Sequence, residues 1–194
     1  MDVIGLIAGS GWASGLNLYL VTLLLGAAGR LGWADLPAVL TRTDVMIIAG
    51  TLFVVEFFAD KVPYLDNVWD AVHTFVRPIG AAALGAVLAG DSESIGSALG
   101  AILAGALALD AHAAKATSRV AANTSPEPFS NMALSLGEDI SVAALIALAV
   151  AFPIAAIVVV IVLVIAAAAL TTWLWRTARR GWSTLRAKTG NWGG

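Results

Sequence analysis

The sequence contains no cysteine and few charged residues. Without cysteine, disulfides and thiolate metal sites are excluded. Only 12% of the 194 residues are charged and 59% are hydrophobic, with a mean hydropathy of +0.87. Because a soluble domain has roughly 25% charged residues, this chain has too little polar surface to face water. The net charge of −2 also leaves no basic face for nucleic acid.

Targeting and catalytic signatures are absent as well. The N-terminus, M-D-V-I-G-L-I, lacks the positive region of a signal peptide, so we interpret it as the start of a retained span. The sequence has no H-E-x-x-H, no G-x-S-x-G and no phosphate-binding glycine loop before a lysine. We therefore expect a protein that is not an enzyme and that has no cofactor.

The sequence does have a succession of apolar segments near the ~20 residues that cross a bilayer. They predict an all-α, polytopic transmembrane helix bundle of about six spans within residues 1–176, followed by a basic tail, 177–194. The segments run approximately over Val3–Gly26, Val45–Lys61, Ile79–Ala89, Ile95–Ala116, Met132–Phe152 and Pro153–Trp175.

Two features of these segments allow two interpretations each. Residues 140–175 are apolar without a break and would measure about 54 Å as one helix. We favour a hairpin at Pro153, because proline cannot donate to the helix ladder, over one long kinked helix. In the first segment, G-S-G-W-A-S-G indicates either a broken helix or close packing through Gly9, Gly11 and Gly15.

Positive charges predict the orientation. The tail W-R-T-A-R-R-G-W-S-T-L-R-A-K has five of them and should lie in the cytoplasm. Counting back through six spans puts the N-terminus there too. The prediction is a multi-pass protein of the inner (plasma) membrane with both termini cytoplasmic.

The chain shows signs of an internal duplication. Shifting it by 54 positions aligns two units of helix, polar loop and helix, at about 45–89 and 99–143. The matched pairs are Glu56 with Asp110, Ala59 with Ala113, Lys61 with Lys115, and Phe75 with Phe129.

Polar residues inside the apolar segments are the candidate site. A charge at the centre of a membrane costs about 2.5–3.5 kcal/mol on insertion scales and usually marks an ion or substrate path. The predicted depths converge on the cytoplasmic half of the bundle. The candidate solute- or ion-binding residues are Asn17, Glu56, Asp60, Asp110, His112, Glu138 and Asp139, with Lys61, His73, Arg77 and Lys115 as supporting charges.

Plain structural roles compete with this interpretation. Lys61 and Lys115 are expected to extend to the headgroups. Glu56 could pair with one of these lysines or with Arg77. His73, four residues before Arg77, fits a capped interfacial helix as well as a ligand pair.

Two stretches that are rich in polar residues resemble a known family. The stretches V-E-F-F-A-D-K-V-P-Y-L-D-N-V-W-D-A-V-H-T-F-V-R-P and K-A-T-S-R-V-A-A-N-T-S-P-E-P-F-S-N-M-A-L-S-L-G-E-D resemble a bacterial membrane family catalogued as domain of unknown function 4126. The resemblance implies a small integral membrane protein and supplies no activity. It implies that the family pattern includes Glu56, Asp60, Lys61, Asp66, Trp69, Asp70, His73, Arg77, Lys115, Asn123, Pro126, Glu127, Glu138 and Asp139.

The depth of the polar residues in the membrane distinguishes a transport function from a docking function. A carrier needs polar residues inside the bundle, whereas a docking protein concentrates them at its surface. We therefore expect a transporter or channel for a small polar solute or cation, with or without proton coupling. The alternative is a non-catalytic protein that binds lipid or a partner through its cytoplasmic loops. The small size of the bundle is compatible with a homo-oligomer, and the candidate residues indicate no particular metal.

Overall fold

The computed structural model describes residues 3–62, 65–90, 95–122 and 128–189, and this part of the chain is all helical. The predicted polytopic helical bundle is confirmed. Residues 63–64, 91–94 and 123–127 lie outside the described residues. The helices are α1 (Val3–Arg30), α2 (Thr43–Ala59), α3 (Leu65–Ala89), α4 (Ile95–Ala122), α5 (Pro128–Ala151) and α6 (Pro153–Thr189).

Five of the described helices are long and apolar enough to cross a membrane, one fewer than the predicted segments. The sixth, α2, has 17 residues and measures about 26 Å, slightly less than the ~30 Å hydrocarbon core. Its outward side chains are nevertheless apolar, as expected for a helix in contact with lipid. They include Ile47, Ile48, Val54, Val55 and Phe58.

The helices α5 and α6 form a hairpin, so the break predicted at Pro153 is confirmed. Only Phe152 separates them. The cavity between them is lined near the turn by Leu148 and Val159, and farther from it by Gly137 and Leu170. Residues before and after the turn therefore face each other, and α6 runs back alongside α5.

The first half of α1 is the centre of the bundle and runs in the same direction as α4. Gly11 packs against Ala104, and Gly15 packs against Ala108 one turn farther along both helices. A Cβ atom on Gly11 would lie 2.7 Å from the Ala104 Cα atom. The glycine-rich stretch therefore stays helical and serves close packing.

The break in α1 comes immediately after that stretch, at Asn17. Its backbone is non-helical, with φ −153° and ψ 95°. The Asn17 side chain then accepts a 2.9 Å hydrogen bond from the Leu20 N–H, the standard cap for the start of a helix. A broken first helix was predicted, and the structure moves the break from the glycines to the residue that follows them.

After Asn17 the chain turns back. The Leu23 side chain meets Gly50, and Gly26 meets Met46, so the second half of α1 runs opposite to α2. Arg119, near the end of α4, contacts both Asp60 after α2 and Asp66 at the start of α3. Because Glu56 also bonds Arg77 in the middle of α3, α2 runs opposite to α3. Gly85 packs against Gly100 and Gly105 against Ala82, so α3 runs opposite to α4, and α2 and α4 run in the same direction. The two halves of α1 are therefore antiparallel, and α1 is a helical hairpin with its tip at Asn17.

This hairpin changes the position of the N-terminus. Gly5 packs against Pro153 at the start of α6, whereas α6 has 37 residues and ends at Thr189. The two ends of the described chain therefore lie at opposite ends of the bundle. The prediction that both termini face the cytoplasm does not fit this arrangement, because it assumed that α1 crosses the membrane completely.

Candidate functional site

A fully buried arginine organises the first group of polar residues. The Arg77 Nη2 atom on α3 lies 2.5 Å from Glu56 Oε1, and Nη1 lies 3.0 Å from Asp70 Oδ1. Nη1 also lies 2.8 Å from His112 Nδ1. A guanidinium only donates, so His112 Nδ1 accepts and its Nε2 carries the proton, 3.0 Å from Thr74 Oγ1. These contacts keep His112 neutral.

A second group lies between the ends of α2 and α4. The Lys115 Nζ atom lies 2.8 Å from Asp60 Oδ2 and 3.2 Å from Glu138 Oε2. The Arg119 Nη2 atom lies 3.0 Å from each of the same two oxygens. Arg119 Nη1 also donates to the Asp60 carbonyl oxygen at 3.0 Å. Two cations thus share two carboxylates, joining α4 to both α2 and α5.

Asp60 comes immediately after α2 and lies outside the candidate membrane spans. Burial by itself raises the pKa of Asp60. The Lys115 ammonium and the Arg119 guanidinium outweigh burial and hold that pKa below its ordinary value. Asp60 is therefore ionised at neutral pH.

The tip of α1 lies beside the second group. The Lys115 Nζ atom donates to the Leu16 carbonyl oxygen at 3.1 Å, and Asn17 Nδ2 donates to Asp139 Oδ1 at 3.1 Å. A broken helix leaves free carbonyl and N–H groups at each side of the break. Here the carbonyl side of the break faces a cation. On the N–H side, the Leu20 N–H bonds Asn17 Oδ1, and the amide nitrogen of the same side chain bonds a carboxylate.

Two supporting residues lie at the edges of these groups. Lys61 Nζ donates to the Phe57 carbonyl oxygen at 2.9 Å and to Ser135 Oγ at 3.3 Å. His73 Nδ1 lies 2.8 Å from the Trp69 carbonyl oxygen, so it carries the proton, and Nε2 accepts from the Tyr19 hydroxyl at 3.1 Å. His73 is therefore not paired with Arg77 as a ligand pair.

Among the candidate binding residues, Asp110 does not lie with the others in the structure. Its Oδ2 accepts from Trp12 Nε1 at 3.2 Å, and it makes none of the cluster's ion pairs. Its proposed repeat partner, Glu56, bonds Arg77 instead. The duplication itself stays a prediction.

Sequence reasoning placed Lys115 wrongly and missed Arg119. The prediction that Lys115 extends to the headgroups is wrong, because its side chain is 1% exposed and bonds inside the bundle. Arg119 is equally buried but lies beyond the predicted end of the fourth apolar segment at Ala116. The signal that could have found it is its spacing, since residues four apart on a helix share a face.

We call the central residues the charge cluster. It contains six carboxylates and four cations, so two negative charges are in excess when all are ionised. The buried carboxylate oxygens that have no hydrogen-bond partner within the described residues include Glu56 Oε2, Asp60 Oδ1 and Asp139 Oδ2. The cluster comprises Glu56, Asp60, Asp66, Asp70, Glu138 and Asp139 with Lys61, Arg77, Lys115 and Arg119.

The cluster does not have the geometry of a metal centre. Within the described ranges, no three His, Asp or Glu side chains are arranged to hold a metal ion together. The positive charges of the cluster are all side chains of the protein, two lysines and two arginines.

Comparison with known proteins identifies the family of this chain but gives no activity for it. No curated protein and no solved structure matches the chain. A family model described as "Domain of unknown function (DUF4126)" matches residues 4–173. This match covers the α1 hairpin, the charge cluster and most of α6, and the chain therefore belongs to the DUF4126 family.

Proposed function

We propose that this protein is a non-enzymatic membrane transporter or channel, and that protons, alone or in exchange for a small polar solute or cation, move past the charge cluster. The observation that carries the proposal is the α1 hairpin, whose broken tip at Asn17 lies against the cluster. Transporter sites are commonly built where discontinuous helices end near the middle of the membrane. Non-helical backbone at that depth is tolerated when it is buried in protein or lines a cavity.

The charges of the cluster support this proposal. Charged side chains within a span are costly and usually mark a path for ions or substrate. The charge cluster has two carboxylates in excess of its cations. Protonation of Asp139, which is bonded to Asn17, would reduce that excess without breaking the ion pairs made by Arg77, Lys115 and Arg119.

The topology in this proposal has five crossings, α2 to α6, with α1 entering and leaving from one side. The basic tail after α6 lies in the cytoplasm under the positive-inside rule. The N-terminus then lies on the outer side of the inner membrane. The cluster lies nearer the cytoplasmic side, because it gathers at the ends of α2 and α4 and the starts of α3 and α5.

Proton flux into liposomes tests the proposal. The protein is reconstituted with a trapped pH-sensitive dye, a potassium diffusion potential is imposed, and small cations, amines and acids are added in turn. We expect flux above that of empty liposomes, and a reduction by roughly tenfold or more in Glu56→Gln and Asp139→Asn.

Asp44→Asn is the matched control. Asp44 pairs with Arg42 at 2.6 Å on the exposed start of α2, away from the cluster. The Arg42 guanidinium lowers the pKa of Asp44 to about 2, so the replacement removes a full charge. Flux equal to that of empty liposomes with every solute, or equal losses in all three variants, would refute the proposal.

A further inference from the structure

A cavity of about 610 Å³ lies beside the charge cluster, between α1, α4, α5 and α6. Its size is within the roughly 300–1,000 Å³ of small-molecule pockets. Its walls are mainly apolar and include Leu145, Leu163 and Leu170. The cavity therefore has room and apolar surface for a hydrocarbon chain.

The nitrogen donors that line the cavity are already used. Lys115 Nζ is held by the Leu16 carbonyl oxygen, Asp60 Oδ2 and Glu138 Oε2. Trp12 Nε1 donates to the Asp110 carboxylate. A ligand that needs a donor from these side chains, such as a carboxylate or a phosphate, would have to break a contact already made.

The oxygen atoms that line the cavity can still accept. The Ser118 and Ser141 hydroxyls donate to backbone carbonyl oxygens at 2.8 and 2.7 Å, which leaves their lone pairs unused. The ion pairs of Glu138 with Lys115 and Arg119 both use Oε2. Within the described chain, Glu138 Oε1 therefore remains as an acidic acceptor.

We propose that this cavity binds an amphipathic amine, with its ammonium group at Glu138 and its hydrocarbon chain along the apolar walls. An ammonium has three donors and no acceptor, which complements a site whose unused polar atoms are acceptors. The ring of Trp12, which also lines the cavity, offers a further cation–π contact. The inference concerns binding alone, and only movement of the amine across the membrane depends on the proposed function.

Three ligands of equal chain length test the polarity of the site. The full-length protein in nanodiscs is titrated calorimetrically with n-octylamine, n-octanol and octanoate, and heats from empty nanodiscs are subtracted. Octylamine is charged at pH 7, as a lysine side chain is. Because hydrogen bonds to charged groups are the strong ones, we expect octylamine to bind at least about tenfold more tightly than octanol. Octanoate should bind weakest.

Two leucine variants test the location. A Cβ atom on Gly137 meets nothing within 4 Å, so Gly137→Leu fills the cavity while leaving every charge in place. Ala143→Leu adds the same side chain to an exposed position of α5 that does not line the cavity. We expect octylamine binding to be lost in Gly137→Leu and unchanged in Ala143→Leu. Glu138→Gln should weaken it by at least about tenfold.

The result that overturns the inference is equally specific. Octanol binding as tightly as octylamine, or octylamine binding unaffected by Gly137→Leu, would show that the amine enters the lipid or another site. Proton flux can persist in either case, so a failure here is distinct from a failure of the proposed function.

Discussion

Asn17 on α1 and Asp139 on α5, 122 residues apart, are joined by a 3.1 Å hydrogen bond from Nδ2 to Oδ1. The other amide atom, Asn17 Oδ1, caps the second half of α1 through the Leu20 N–H. One side chain therefore both starts a half-helix and attaches it to the charge cluster. The break in α1 and the cluster are parts of one structure.

Replacing Asn17 separates its two roles. Asn17→Ala removes the cap and the bond to Asp139, and loss of a cap alone costs about 0.5–2 kcal/mol. Asn17→Ser keeps a capping oxygen but is too short to be expected to reach Asp139. We expect Asn17→Ala to lower the melting temperature more than Asn17→Ser does. Equal losses in the two variants would show that the cap contributes little.

The Glu56–Arg77 pair should be strongly coupled. Removing one partner of a buried ion pair costs about 3–5 kcal/mol, because the other charge is left buried without compensation. We expect Glu56→Gln and Arg77→Met each to be strongly destabilising in urea unfolding, and the double variant to lose much less than the two single losses combined. Additive losses would mean that the two side chains do not interact in the folded protein.

Acid titration should expose the contribution of Asp60. Its pKa is lowered in the folded protein, so its contribution is fully present above the unfolded value of about 3.9 and is lost as pH falls through the folded value. The groups around it are Lys115, Arg119, Glu138 and Asp66. We expect the stability difference between wild type and Asp60→Asn to be constant from pH 7 to 5. It should shrink below about pH 4, and a difference that shrinks between pH 7 and 5 would contradict the account.

Replacement by alanine should have opposite effects on stability at Gly11, which is closely packed, and at Gly137, which has open space around it. A Cβ on Gly11 would lie 2.7 Å from the Ala104 backbone, so Gly11→Ala must separate α1 from α4 and destabilise the protein. Gly137 has open space around it, and Gly137→Ala should stabilise α5 by up to about 1 kcal/mol. Thermal unfolding measures both effects, and a Gly11→Ala protein as stable as wild type would argue against this close packing.

Most of the cluster could be predicted because a charge inside an apolar segment requires a partner. The prediction that Asp110 belongs to the site was wrong for a geometric reason, which its alignment with Glu56 in the proposed repeat did not reveal. His112, Lys115 and Arg119 recur at helical spacing on one face of α4, whereas Asp110 is two residues from His112 and therefore points about 200° away. Arg119 was missed because the fourth segment was ended at residue 116, and α4 continues to Ala122.

The reversal of α1 could not be predicted from local sequence. Glycines signalled an irregular helix, but in the bundle they pack against Ala104 and Ala108 and stay helical. At the break, Lys115 binds the Leu16 carbonyl oxygen and Asp139 holds the Asn17 side chain that caps the Leu20 N–H, and both partners are distant in sequence. Tertiary partners therefore decided its position.

The distance between the two ends of α1 tests the central claim most directly. The chain has no cysteine, so spin labels can be placed at Ile4→Cys and Leu31→Cys, both exposed positions, and their separation measured by pulsed electron paramagnetic resonance. A hairpin with its tip at Asn17 predicts less than about 25 Å, since neighbouring helices lie 8–10 Å apart. A separation of about 40 Å, the length of a straight helix over these residues, would contradict the hairpin and the route past the charge cluster.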